Sequence, residues 1–267
     1  MKRYLRSSSI VLATLLCLSG CLESTSQGDT NQDDVNSVEQ LSTVPTSGLH
    51  LWLRADTQVT FTGTTNGGIT TGPVSKWMDQ SGNGRNASMT TAARQPSYVS
   101  SVPGALNGQP VIRFSGGQSM YLDIFSQPTL FSVFVVGKNS LTGSFSMILG
   151  PGGNSPNDQL RWNDGADALF VTQNAGTIIT SPTGNTFAYH ALSARYDGST
   201  MTFYYNGNAE SSSNFSTSSP WTIASVGSWY STYYMQGDLA EVIIYDRALS
   251  ESERASVNSY LQSKYAL

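Results

Sequence analysis

Cysteine is scarce: Cys17 and Cys21 are the only two in 267 residues, and both lie at the start of the chain. Nothing downstream can therefore form an internal disulfide, and no Cys/His zinc spacing exists. Histidine is equally scarce, with only His50 and His190, which excludes a histidine-rich metal or acid–base cluster. Charge is low, 14 basic and 18 acidic side chains making 12% of the chain. Such a chain gains no counterion-release affinity for nucleic acid, and a nucleic-acid partner is excluded on that ground. Long hydrophobic runs are missing too. The Ile10–Leu18 stretch, interrupted by Thr14, is too short to span a bilayer. A serine nucleophile on a Gly-x-Ser-x-Gly elbow is absent.

What the start of the chain does contain is a three-part leader. Lys2, Arg3 and Arg6 precede the apolar run, and the small residues Ser19 and Gly20 precede Cys21. A positive head, a short apolar core and small residues at the cut describe a secretory signal over residues 1–20. Leu18-Ser19-Gly20-Cys21 resembles the lipobox of bacterial lipoproteins at all four positions, which implies that Cys21 becomes the lipidated first residue of the mature chain. Several acyl chains on one residue anchor stably, where a single chain does not. Leu22 stands where an aspartate would resemble an inner-membrane retention signal, so the expected location is the outer membrane of the cell envelope. Loss of the leader leaves 11 basic against 18 acidic residues.

Residues 21–47 are expected to be a disordered tether. From Leu22 to Ser47 there is no basic and no aromatic residue, while Glu23, Asp29, Asp33, Asp34 and Glu39 occur. Such a stretch cannot bury enough apolar area to offset its ordering entropy. Its mean span is about 25–30 Å by flexible-chain scaling.

Residues 48–267 read as one all-β domain. Short runs rich in Val, Ile, Phe and Tyr alternate with Gly/Ser/Asn/Asp clusters, giving strands at 49–55, 111–114, 131–138, 147–149, 168–172, 190–196, 200–206, 222–226 and 239–246. Phe131–Val136 and Val242–Tyr245 are nearly continuous apolar, as in strands covered on both sides. Asp197-Gly198-Ser199 and Asn206-Gly207 mark hairpin turns. Ser250 and Glu253 form a capping box ahead of one helix whose apolar stripe is Val257, Leu261 and Tyr265. The expected architecture is a two-sheet antiparallel jelly-roll sandwich with one short C-terminal helix.

Several segments in fixed order carry a resemblance. They are Leu49–Asp56, Trp77–Gly84, Pro110–Gly116, Tyr196–Ser199, Tyr205–Gly207 and, most specific, Gly237–Ser250. Together they resemble bacterial laminin-G-like domains of the concanavalin A-like lectin/glucanase superfamily over 48–267. The resemblance implies a two-sheet jelly roll and leaves function open, because that fold hosts lectins, adhesion modules, glycosidases and lyases.

A catalytic set is not recognisable. Retaining glycoside hydrolysis needs two carboxyls about 5–5.5 Å apart, which alternate strand positions supply. The Glu-x-Asp-x-x-Glu run of laminarinase-type sandwiches is absent. The nearest acidic cluster is Asp238, Glu241 and Asp246, and three-residue spacing on a regular strand sends Asp238 and Glu241 to opposite sides. The strand signatures expected of a jelly-roll lyase are also missing.

Binding residues are easier to nominate. Trp229-Tyr230-Ser231-Thr232-Tyr233-Tyr234 lies between Gly227 and Gly237, and exposed aromatics offer flat surfaces to sugar rings. Trp229, Tyr230 and Tyr234 are the expected contacts, with Tyr233 or Met235 pointing inward. Trp162 beside Asp164, in Arg161–Gly165, is a second loop candidate. Trp52 and Trp77 read as core. Asp79-Gln80-Ser81-Gly82-Asn83-Gly84 imitates half a calcium loop, but Thr90 stands where an EF-hand needs glutamate. One reading is a turn with Asp79 capping its own backbone. The other follows from the resemblance, in which many such domains hold one structural Ca2+ between loops; Asp79, Asn83 and Asp238 are then its ligands. The leading functional reading is non-catalytic binding of carbohydrate or a cell-surface protein. The alternative is a polysaccharide-active enzyme, a glycoside hydrolase or lyase.

Overall fold

The computed structural model describes residues 43–61, 64–65, 71–127, 129–151, 159–163, 166–172, 187–214, 221–229 and 232–267. The described residues belong to one compact unit, Leu41–Leu267. Cys21 and nearly all of the tether lie outside them.

The first strands are β1 (Leu49–Arg54), β2 (Val59–Phe61), β3 (Thr64–Thr65), β4 (Thr71–Trp77), β5 (Ala87–Ser88), β6 (Ser97–Val99) and β7 (Val111–Ser115). Next come β8 (Met120–Gln127), β9 (Phe131–Asn139), β10 (Ser146–Pro151), β11 (Gln159–Asn163), β12 (Ala166–Thr172) and β13 (His190–Tyr196). Then follow β14 (Thr200–Tyr205), β15 (Asn208–Asn214), β16 (Trp221–Val226), β17 (Ser228–Trp229), β18 (Tyr233–Tyr234), β19 (Gln236–Tyr245) and the helix α1 (Glu251–Tyr265).

All pairings are antiparallel and build two sheets. The first runs β15–β14–β13–β9–β19, and β19 is flanked on its other edge by β7 and β1. The second runs β3–β2–β4–β5–β8–β16–β10–β11–β12. Strand β4 joins them, pairing with β6 through Thr71–Pro73 and with β2 and β5 further on. This is the expected sandwich, and all nine strands read from the sequence are present. The sequence reading missed β2 to β6, β8, β11, β15, β17 and β18, whose polar or short stretches carry no clear period-2 signal. The small β17–β18 hairpin stands apart from both sheets.

Side-chain alternation splits β9 and β19 between two cores. Phe131, Val133 and Val135 of β9 face the inter-sheet core with Leu239, Val242 and Ile244 of β19. Phe134 and Val136, with Ala240, Ile243 and Tyr245, face the other way, where Val257, Leu261 and Tyr265 of α1 cover them. The continuous apolar runs therefore do mark strands buried on both sides. Each fully buried aliphatic or aromatic side chain contributes about 1.5–3 kcal/mol, so the helical stripe holds α1 on the sheet.

Both turns and the helix start follow the expected chemistry. Asp197 Oδ1 accepts from the backbone N–H of Ser199 and of Thr200, closing the β13–β14 turn. Asn206 and Gly207 both have positive φ, 44° and 83°, as a type I′ turn requires. Ser250 accepts from Glu253 N–H while the Glu253 carboxylate accepts from Ser250 N–H at 2.9 Å. The Arg247 guanidinium and the Ser250 N–H hold the Glu253 carboxyl down, at about 2 against an ordinary 4.5. A depressed carboxyl stabilises the fold above its unfolded pKa and loses that contribution as pH falls through its folded pKa. Ser250→Ala is expected to cost about 1 kcal/mol in urea denaturation at neutral pH. The cap's contribution should fade between pH of about 4.5 and about 2.

Candidate functional site

The hairpin β17–β18 is fastened at its base to β10 and β16 of the second sheet. Met235 N–H bonds to the Gly227 carbonyl and Gly227 N–H to the Ile148 carbonyl, both at 2.9 Å. Ser225 Oγ donates to the Ser228 carbonyl at 2.7 Å. On the neighbouring β9–β10 connection, Asn139 is fully buried and its carboxamide bonds both Leu141 N–H and Leu141 carbonyl. Ser146 Oγ then bonds the backbone of Gln236. These bonds place the hairpin beside Phe145.

Between them lies a hollow of about 250 Å³ lined by Gly116, Leu141, Ser144, Phe145, Thr232, Tyr233, Tyr234 and Gln236. Its aromatic wall is a relay of rings. Trp229 stacks on Tyr233 with centroids 5.1 Å apart and planes at 21°. Tyr233 meets Phe145 edge-on at 5.8 Å. The buried Arg161 guanidinium sits 3.6 Å from the Phe145 centroid, and burial draws its pKa below the ordinary arginine value. Tyr234 is half-buried and has no ring partner among the described residues. Among the described residues, no carboxylate lines this hollow.

The nominated residues are distributed differently from the expectation. Tyr234 lines the hollow, Trp229 supports Tyr233 from behind, and Met235 is the inward residue, fully buried. Tyr233 and Phe145 are additions; Phe145 sits in a Gly/Ser stretch with no aromatic neighbour, so nothing local drew attention to it. Tyr230 and Asp164 lie outside the described residues. Trp162 is a correction. It lies on β11, not in a loop, and is fully buried in the inter-sheet core. Trp77 is core as expected, whereas Trp52 is half-buried on the opposite face, near α1.

Asp79, Asn83 and Asp238 are not assembled as a ligand set. Asp79 Oδ1 accepts from Trp52 N–H and Ser81 N–H, both 2.9 Å, and Oδ2 from Ser81 Oγ and Arg85 N–H at 2.8 and 3.0 Å. Four donors occupy the acceptor directions a carboxylate has. Asn83 Nδ2 donates to the Leu49 and His50 carbonyls. The loop is thus a self-capped turn stitched to β1. Asp238, only 2% exposed, takes a bidentate bond from Arg113 at 2.7 and 2.9 Å and another from Tyr189 Oη. No three His, Cys, Asp or Glu among the described residues are grouped to hold a metal. These donors do not fit a calcium ion.

The acidic cluster on β19 also needs correcting. A bulge between Leu239 and Glu241 shifts the register against β9, so Asp238 and Glu241 both turn away from the inter-sheet core. Glu241 is sealed beneath α1, with no side-chain exposure. It accepts from Trp52 Nε1 (2.5 Å), Lys264 Nζ (2.7 Å), Tyr265 Oη (2.7 Å) and Tyr260 Oη (3.3 Å). A carboxylate so enclosed reaches no substrate. His190 is also enclosed, 1% exposed and stacked on Tyr205 at 4.8 Å.

Fold and site together define a lectin-like β-sandwich. The laminin G family model described as the concanavalin A-like lectin/glucanase superfamily matches residues 119–253, just over half of the chain. The chain belongs to that superfamily. No curated protein matches it in sequence. Among solved structures it is similar to Trypanosoma rangeli sialidase, at 15% identity and TM-score 0.52 over 82% of this chain and 33% of that one. The complex of the same enzyme with 2,3-difluorosialic acid, a covalent intermediate, aligns at 16% identity and TM-score 0.53 over 82% and 34%. The chain thus spans about a third of those proteins, and the likeness concerns the fold.

Proposed function

We propose that this chain is a non-catalytic carbohydrate-binding module and that the sugar sits in the hollow between Phe145 and the β17–β18 hairpin. The observation that carries this reading is a set of half-exposed aromatic rings in a hollow that no described carboxylate lines. Aromatic rings give a sugar's apolar face a dehydrated contact, and Ser144, Thr232 and Gln236 at the rim supply hydrogen bonds to hydroxyls. Hydrolysis needs a carboxyl pair flanking the scissile bond, and the described lining of the hollow provides neither member. Membership of a lectin-containing superfamily supports the reading, as does likeness to a sialidase.

A glycan array followed by calorimetric titration of each hit tests it. Tyr234→Ala is expected to weaken binding by about tenfold or more, equivalent to at least ~1.4 kcal/mol, without generating products. Chelator should change neither affinity nor melting temperature, because the Asp79 and Asp238 carboxylates are occupied by internal donors and Asn83 is tied to β1 through its Nδ2. Cleavage of a bound glycan would overturn the binding-only reading.

The module's place is proposed to be the bacterial envelope, with lipid on Cys21 and residues 22–47 as the tether. Metabolic labelling with a palmitate analogue should mark the wild-type chain and not Cys21→Ala. The variant should also partition out of the membrane fraction.

A further inference from the structure

A second hollow, of about 240 Å³, lies where α1 meets the β14–β15 turn, lined by Asn206, Gly207, Asn208, Arg254, Ala255, Asn258, Ser259 and Gln262. Its floor holds a side chain that local packing does not explain. Asn258 is only 6% exposed, yet its carboxamide makes no hydrogen bond among the described residues. Its carboxamide atoms are not among the sealed polar atoms without a partner, so they open into the hollow, where solvent or a ligand meets them. Asparagine is also a poor residue for a helix interior. The neighbouring α1 residues Val257 and Leu261 pack into the core, whereas the Asn258 carboxamide faces the hollow.

The surroundings select the chemistry of what would meet them. Arg254 is the one cation in the lining, and it is occupied: its guanidinium bonds Glu251 through two nitrogens, donates to the Gly207 carbonyl at 2.9 Å and lies 4.0 Å over the Tyr204 ring. Gln262 Nε2 donates to the Asn206 carbonyl at 2.8 Å, which leaves its Oε1 as an acceptor. Ser259 and Asn208 are exposed at the rim. Every available group is therefore an uncharged amide or hydroxyl. Gly207 keeps the hollow open: a Cβ there would lie 3.3 Å from the Asn258 carboxamide, and its φ of 83° already disfavours a side chain.

We infer that this hollow is a second binding site, taking a neutral, polyhydroxylated ligand the size of one sugar ring, with the Asn258 carboxamide as its central donor–acceptor pair. The lining offers no free cation for an acidic sugar. It has no substantial apolar surface to bury a peptide side chain either. The site does not depend on the Tyr234 hollow, since the two share no lining residue.

The test is side-chain amide NMR on the 15N-labelled chain, titrated with methyl galactoside, methyl glucoside, N-acetylneuraminic acid and N-acetylglycinamide. Concentrations should run to about 50 mM, enough to populate a site with a dissociation constant of ~10 mM. A neutral glycoside should shift the Asn258 side-chain amide signals, and the acidic sugar and the amide should leave them unmoved. Asn258→Ala should weaken that glycoside by about tenfold or more at unchanged or raised melting temperature, as expected where a polar group is kept for binding rather than stability. Ser259→Leu, an exposed change that narrows the mouth without touching the core, should give the same loss if the alanine variant folds poorly. Tyr234→Ala should leave these shifts intact, so failure of the aromatic site and failure of this one are separable. Asn258 signals that respond to none of the four probes, or to N-acetylglycinamide alone, would overturn the assignment.

Discussion

Glu241→Ala is expected to destabilise the protein by about 3–5 kcal/mol in urea denaturation at pH 7, a large share of a domain's net stability. The size follows from what would be left behind. Glu241 is fully enclosed and collects the Lys264 ammonium, two tyrosine hydroxyls and the Trp52 indole N–H. Removing it takes the acceptor from three neutral donors under the helix and one of two carboxylate partners from the Lys264 ammonium. Lys264 keeps a second partner, Asp56 at 3.1 Å, and Asp56 is itself bound to Arg54 at 2.7 Å. That retained pair caps the loss, and Glu241→Gln, which still accepts hydrogen bonds, should cost markedly less. Burial and the Glu241 charge together push the Tyr260 and Tyr265 hydroxyls well above their ordinary pKa, so both remain donors through neutral pH. The decisive comparison is the double variant Glu241→Ala with Lys264→Met. Partners in one network couple strongly, so the pair should recover part of what the single change loses. Strict additivity would show that the ion pair is not the source of the cost.

Period and turn chemistry made most of the fold legible. Phe131–Val136 and Val242–Tyr245 announced doubly covered strands because an uninterrupted apolar run has no polar face to offer solvent. Asp197-Gly198 and Asn206-Gly207 announced hairpins because few other residue pairs adopt their dihedrals. The β19 bulge could not be read. Asp238 and Glu241 are three apart, so a regular strand separates their faces, whereas one extra residue returns both to the same side. Bulges are set by tertiary pairing and leave no mark in a local pattern. The Asp79 loop was ambiguous for a related reason. Oxygen donors at alternate positions suit either a cation or the loop's own N–H groups, and only the placement of Trp52, Ser81 and Arg85 decides between them. Asn258 was invisible, since a lone asparagine on a helix looks like a solvated residue until burial is known.

Trp162→Ala is expected to cost about 3–5 kcal/mol and to abolish binding only by unfolding the sandwich. In sequence, Arg161-Trp162-Asn163 followed by Asp164 and Gly165 looks like an exposed recognition loop. In space, Trp162 pairs with Ser146 on one side and Leu169 on the other, and its indole is fully buried between the sheets. The tip of the ring reaches across to Gly137 of the facing sheet. A Cβ at that glycine would lie 3.2 Å from Trp162 Cη2 and collide with the Asp238 carbonyl. A large indole on one sheet and no side chain opposite are therefore two halves of one packing solution, and truncating the first leaves a cavity the rigid strands cannot close. Trp162→Phe keeps most of the volume and removes a buried indole N–H that has no partner, so it should cost less than about 1.5 kcal/mol. Tyr234→Ala gives the opposite pattern: a partly exposed ring whose loss should move stability by about 0.5 kcal/mol or less while weakening the glycan. Thermal melts beside glycan titrations of the three variants separate the roles. A Trp162→Ala protein that melts like wild type but fails to bind would restore Trp162 to the ligand site and refute its place in the core.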